Sequence, residues 1–241
     1  MLNRDARHHA LKQVGSDGQQ QIAAGTALLI GAGGIGCAAA TYLAASGVGR
    51  LIICDFDTID ETNLGRQVLY TPADVGQLKA EVAASRLRAL NPDINITSIN
   101  QRLQGDELSA AIRDCDVVLD GSDNFATRFA VNDTCVRAQR RLISGAAIRL
   151  EGQLAVFGPD YANAPCYRCL YVEADESLDS CAGNGVLSPI PAVIGTLMAV
   201  ETLKYFADLG SDCNQLRLYD AVAAEFRSIT IQKRQDCPGC A

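Results

Sequence analysis

The sequence predicts a Rossmann-like, doubly wound α/β fold: a mostly parallel sheet extended by antiparallel strands, with a C-terminal zinc knuckle. Three observations carry that expectation. A glycine-rich turn, Gly31-Ala-Gly33-Gly34-Ile-Gly36, sits between an apolar run and an alanine-rich helical stretch. Short apolar runs alternate with segments of helical period through residues 25–145. Two Cys-x-x-Cys pairs lie in the last third of the chain.

The elements follow in order. The polar start at residues 1–24, which carries His8 and His9 without a partner cluster, reads as a helical arm. Residues 27–30 form the first strand, residues 37–45 a helix ending at Gly47, and residues 51–54 a second strand closed by Asp55. Residues 79–90 place Ala80, Ala83, Ala84, Leu87 and Leu90 at helical spacing, and Asn91-Pro92 stops the helix. Residues 94–99 alternate as a half-buried strand does, and residues 117–119 form a buried strand ending at Asp120. A helix over 127–139 and a strand over 142–144 complete the nucleotide-binding half at 25–145. Residues 148–150 and 153–157 flank Glu151-Gly152 as an antiparallel hairpin. Residues 161–190 read as a long irregular crossover, residues 191–206 as an apolar helix, and 216–219 and 226–231 as strands. The whole, 1–241, is one domain, with 146–241 holding the antiparallel extension, the crossover and the metal-binding end.

Composition narrows the function. With 241 residues and 48% hydrophobic content, folding buries roughly 70–75% of the unfolded surface, so disulfide staples are unnecessary. A net charge of −7 and an aromatic content of 5% speak against a nucleic-acid partner. No run approaches the ~18 apolar residues that a membrane span needs, and no signal-peptide h-region follows the first charges. A cytoplasmic protein is the expectation.

The glycine turn has the context that a phosphate site needs, because it follows a strand and opens a helix. Glycines let backbone approach phosphate closely, and the helix N-terminus offers free N–H groups. Asp55, about 20 residues on, stands where a carboxylate accepts hydrogen bonds from ribose hydroxyls. The turn alone leaves dinucleotide and ATP both open. Arg66, Lys79 and Asp123 favour ATP: two cations offset triphosphate charge, and the carboxylate suits its Mg²⁺.

Gly31-x-Gly33-Gly34-x-Gly36, Asp55-Phe-Asp57, Asn63-Leu-x-Arg66-Gln67, Lys79, Asp123-Asn124 and the two cysteine pairs together resemble the MoeB/ThiF/HesA family, relatives of the ubiquitin-activating enzymes. The resemblance runs from about Arg4 to the C-terminus. It implies a sulfur-carrier adenylyltransferase in which ATP activates the Gly-Gly carboxylate of a small ubiquitin-like carrier and pyrophosphate leaves. It implies nucleotide contacts at Gly31, Gly33, Gly34, Gly36, Asp55, Asp57, Asn63, Arg66, Gln67, Lys79, Asp123 and Asn124, with Mg²⁺ on Asp123. It also implies a homodimer in which Arg7 reaches the neighbouring subunit's ATP. The stretch from Ser144 to Gln153 resembles the branch serving molybdopterin synthesis, with a MoaD-like carrier. A ThiS-like carrier for thiamin thiazole synthesis is the alternative. A non-catalytic relative or a nicotinamide oxidoreductase are further ones.

Cys166, Cys169, Cys237 and Cys240 make two knuckles suited to one tetrahedral Zn²⁺. Cys181 lies in the crossover, where the resemblance implies either a covalent link to the carrier or no role. Cys37, Cys54, Cys115 and Cys135 fall on predicted elements as small core side chains. Gly152, Gly158, Tyr161 and the irregular segment after them are candidates for a groove holding the carrier tail.

Overall fold

The computed structural model describes residues 4–171, 185–210 and 213–241. Cys181 lies outside the described residues. The arm forms two helices, α1 (Ala6–His9) and α2 (Gly15–Ala24). The parallel half follows as β1 (Thr26–Ile30), α3 (Gly34–Ala45), β2 (Arg50–Cys54), α4 (Lys79–Leu90), β3 (Asn95–Ile99), α5 (Gly105–Arg113), β4 (Val117–Asp120), α6 (Phe125–Ala138) and β5 (Arg141–Ile148). The rest is β6 (Glu151–Phe157), the short α7 (Tyr167–Leu170), α8 (Pro189–Phe206), β7 (Gln215–Asp220) and β8 (Glu225–Thr230).

The strands form one eight-stranded sheet in the order β3-β2-β1-β4-β5-β6-β7-β8. The first five are parallel, and the last three are added antiparallel. Because strand side chains alternate, each strand feeds two cores. Leu29, Ile53, Leu119 and Ile143 face α3, α4 and α8, while Leu28, Ile52, Val118 and Leu142 face α5, α6 and α7. α8 lies tight on α3, since a Cβ on Gly195 would stand 2.1 Å from the Ile35 carbonyl oxygen. Among the described residues no helix is long and apolar enough to cross a membrane.

The structure corrects the sequence expectations in four places. The hairpin turn is Arg149-Leu150, not Glu151-Gly152: Gly152 pairs with Ala147 inside β6, and Arg149 takes the left-handed conformation at φ 54. Gly152 is there for packing, because Ile194 of α8 comes within 2.5 Å of where its Cβ would sit. Strand β5 runs four residues past Ser144, to Ile148, held by its pairing with β6. Helix α5 was not expected from the sequence, because its buried stripe is only Leu108 and Ile112. The crossover is not wholly irregular, since it contains α7 and the first two residues of α8.

Candidate functional site

Chain direction fixes where a ligand can sit. The connection from β1 runs towards β2 and β3, whereas β4 and β5 lie on the other side of β1. The carboxyl ends of β1 and β4 therefore diverge into a crevice, the place where open α/β sheets bind ligands. A cavity of 890 Å³ occupies it. Gly31 closes its floor with φ 87, and its backbone approaches Gly121 so closely that a Cβ would lie 3.1 Å from the Gly121 carbonyl oxygen. Gly33 is the N-cap of α3 and makes no side-chain cap, so the first N–H groups of that helix remain available to an anion.

Gly36 behaves differently from its neighbours. It does not line the cavity. A Cβ there would stand 1.9 Å from the Gly31 carbonyl oxygen, so this glycine serves the approach of α3 to the turn.

Asp55 ends β2 beside the turn. Its two oxygens accept from Ala32 N at 2.7 Å and from Asp57 N at 2.9 Å. Burial pushes its carboxyl above the ordinary value, partly offset by those two N–H groups and by Lys79. The Asp57 carboxylate pairs with Lys79 Nζ at 3.0 Å. Lys79, at the start of α4, thus reaches the cavity wall with one carboxylate already beside it. Tyr70 braces this corner from below, donating its hydroxyl to the Ala32 carbonyl at 2.8 Å.

The segment after β2 is shaped by a reciprocal cap: Thr62 N donates to Asp60 at 2.8 Å, and Asp60 N donates to Asn63 Oδ1 at 3.2 Å. This turn presents Asn63, Arg66 and Gln67 to the cavity. Arg66 donates Nη1 to the Thr62 carbonyl at 3.0 Å. Gln67 is buried, and its Oε1 has no hydrogen-bond partner among the described residues. Across the crevice, Asn124 caps α6 by accepting from Thr127 N at 2.9 Å, which leaves Asp123 exposed on the rim.

Gly31, Gly33, Gly34, Asp55, Asp57, Asn63, Arg66, Gln67, Lys79, Asp123 and Asn124 therefore share one cavity. Arg7 does not. His8 on the same short helix bonds Gln19, which bonds the carbonyl of Ser46 at the far end of α3. Twelve residues of helix put that end roughly 18 Å from the glycine turn. Of the residues expected to form a tail groove, Gly152, Gly158 and Tyr161 do not line the cavity, and Tyr161 is buried, with its hydroxyl on the Arg140 carbonyl. Arg149, Gln153 and, from the segment after Tyr161, Tyr167 and Tyr171 also line the cavity. Sequence reasoning singled out none of these as site residues, nor Arg128. For Arg128 a signal existed, because it falls at helical spacing with Phe125 and Asn132 on the buried face of α6.

The four cysteines converge beside Asn132 of α6. Their sulfurs all lie within 4.8 Å of one another, with Cys166–Cys237 at 3.7 Å and Cys169–Cys240 at 3.6 Å. A tetrahedron with Zn–S bonds of about 2.3 Å has edges of about 3.8 Å, so the arrangement fits a zinc ion. Its surroundings fit thiolates too. Lys233 Nζ stands 3.4 Å from Cys240 Sγ, Arg234 N donates to Cys169 Sγ, and Asn132 Nδ2 lies 3.7 Å from Cys166 Sγ. Cys37, Cys54, Cys115 and Cys135 are buried free thiols, and burial pushes the Cys37 thiol up to about 12.

A cavity of this size at the switch point of a doubly wound sheet, walled by cations and carboxylates, defines a nucleotide-binding α/β enzyme. Comparison with known proteins names the class: the ThiF family model matches residues 6–239, and the chain belongs to that family. It is an adenylyltransferase of that family. The ThiS adenylyltransferase of Escherichia coli K12 is 40% identical over 237 residues, spanning 98% of this chain and 94% of that protein. The sulfur carrier protein adenylyltransferase of Thermus thermophilus is 41% identical over 245 residues, spanning 99% and 90%. The molybdopterin-synthase adenylyltransferase of E. coli K12 is 43% identical over 226 residues, spanning 93% and 90%. Among solved structures, E. coli MccB with ATP shares the fold at a TM-score of 0.83 and 23% identity, covering 100% of this chain and 74% of that one.

Proposed function

We propose that the protein uses Mg²⁺·ATP to adenylate the C-terminal Gly-Gly carboxylate of a small ubiquitin-like sulfur carrier. The observation that carries this reading is the shared cavity: Arg66, Lys79 and Asp123 line the same space as the glycine turn. In the proposed reaction a carrier carboxylate oxygen attacks the α-phosphorus. The bond to the bridging oxygen breaks, and pyrophosphate leaves with the electron pair. No side chain need act as nucleophile, so the protein contributes orientation and charge neutralisation.

Each residue then has a task. The N–H groups behind Gly33 and Gly34 meet phosphate, and Asp55 accepts from ribose hydroxyls. Asn63, Arg66, Gln67 and Lys79 hold the triphosphate, with Asp57 orienting Lys79 and Asn124 the rim. Asp123 would hold the Mg²⁺, which supplies further charge neutralisation when bound. Arg7, at the far end of α3 from its own cavity, acts across a homodimer in this reading. The cysteine cluster holds zinc and joins the chain's end to α6.

A MoaD-like carrier, in molybdopterin synthesis, is the favoured substrate. A ThiS-like carrier is the second reading, supported by a ThiS adenylyltransferase of comparable identity. ATP–pyrophosphate exchange with each carrier separates them: the native carrier supports exchange, and Asp123→Ala reduces it at least ~100-fold, the scale of losing a transition-state charge partner. Near-normal exchange in that variant would remove the metal role of Asp123.

A further inference from the structure

Between the cavity and the cysteine cluster runs a chain of buried polar groups for which the adenylation chemistry has no task. Arg128 is 9% exposed. Its Nη2 donates to the Ser122 carbonyl at 2.5 Å and to the Gly145 carbonyl at 3.3 Å, and its Nη1 donates to the Tyr167 hydroxyl at 3.4 Å. On the other side of Ser122, Asp120 is 1% exposed and accepts from the Ser122 N–H at 3.0 Å and from its hydroxyl at 2.6 Å. The Asp120 Oδ2 has no hydrogen-bond partner among the described residues, so the buried guanidinium supplies its nearby countercharge. Ser122 is thus gripped from both sides, and Asp123 is the next residue.

The far end of the chain is anchored. Tyr167 lies between Cys166 and Cys169. Its N–H donates to Asn132 Oδ1 at 2.8 Å, and its ring packs edge-on against Phe129 and Phe157. Arg168 beside it makes two bonds to Asp133 on α6, at 2.6 and 2.7 Å. A planar fork suits Arg128 to tie carbonyls on two elements to a hydroxyl on a third, a geometry that lysine's point charge lacks.

We infer that Arg128 and Tyr167 are positioning residues: the cysteine cluster fixes Tyr167, Tyr167 seats Arg128, and Arg128 holds the loop at 121–124 so that Asp123 meets the nucleotide. What Asp123 does there rests on the adenylation reading; what holds the loop rests on geometry alone. The cluster then anchors the catalytic loop in addition to joining the chain's end to the body.

The test uses the full metal-loaded chain and two variants, Tyr167→Phe and Arg128→Lys. Tyr167→Phe removes one hydroxyl and keeps the ring packing. Amide hydrogen exchange at Gly121 and Ser122 is expected to speed up about 3- to 10-fold in Tyr167→Phe, the scale of one lost hydrogen bond, and more in Arg128→Lys. Metal content should stay at one zinc per chain. In pyrophosphate exchange the KM for Mg²⁺ should rise by a similar factor, while kcat at saturating Mg²⁺ stays within about two-fold. Unchanged loop amides in both variants, in an active wild-type protein, overturn the inference. Loss of zinc with general loss of protection in Tyr167→Phe also overturns it, because the role is then structural. A wild-type protein without pyrophosphate exchange, whose loop still loosens in the variants, removes the adenylation reading and leaves the positioning role standing.

Discussion

At the end of β2, Asp55 accepts two backbone N–H groups and still lines the cavity. Its ionised form keeps all its acceptor sites; protonation turns one into a donor and disturbs the turn that Ala32 belongs to. In the proposed reading, ATP affinity should therefore be present above the Asp55 pKa and be lost as pH falls through it. Because burial raises that pKa, the loss begins at a higher pH than the ordinary 3.8 would give. Calorimetric titration of ATP across pH should show this fall, and Asp55→Asn should flatten it while costing about 2 kcal/mol, roughly thirty-fold, at neutral pH. A wild-type profile in Asp55→Asn would contradict the account. At this scale the sequence was informative where one residue type has one physical use. A glycine at φ 87 and a carboxylate at a strand end are legible from spacing. The helical spacing of Arg128 was legible but its task was not, because its partners are two backbone carbonyls and a tyrosine 39 residues away, which only the fold brings together.

Helix α8 covers the sheet where parallel strands give way to antiparallel ones, and its charged residue Glu201 points into that joint. Glu201 is 3% exposed and accepts from Lys204 at 3.0 Å and from Arg217 of β7 at 2.6 Å. Burial alone would raise its pKa; the bonds from Arg217 and Lys204 outweigh burial and hold it below the ordinary 4.5. The sign follows: the stabilisation is present above the unfolded pKa and is lost as pH falls through the folded one. Breaking a fully buried pair costs about 3–5 kcal/mol, but Arg217 and Lys204 keep 25% and 29% of their side-chain surface in water. Glu201→Gln should therefore cost about 1–2 kcal/mol in urea unfolding at neutral pH, and less in acid. An equal cost at both would contradict the ion pair as its origin. Elements whose apolar period is strong, such as α4, were legible to the residue. The Arg149-Leu150 turn was not, since glycine's turn preference pointed to Gly152 and helix packing overrode it.

For the whole molecule, the sheet order and the cysteine cluster decide what the chain can do. Reversal of strand order at β1 opens the cavity, and the cluster ties residues 71 positions apart onto α6. Elemental analysis should find one zinc per chain. Cys237→Ser should lose it and make the last residues protease-sensitive, with a stability loss of several kcal/mol. A folded, metal-free, fully protected wild-type chain would contradict that role. The fold class was legible because alternating strand and helix periods admit few arrangements. The carrier was not, because its docking surface depends on shape and local charge that no single motif encodes. The central claim is that the glycine turn serves a triphosphate whose α-phosphorus is attacked by a carrier's terminal carboxylate. Mass spectrometry of the carrier after incubation with this protein, ATP and Mg²⁺ tests it most directly. The account predicts a carrier bearing one AMP at its C-terminus, with pyrophosphate released in equal amount. An unmodified carrier, with a nicotinamide cofactor bound in the 890 Å³ cavity, would contradict it.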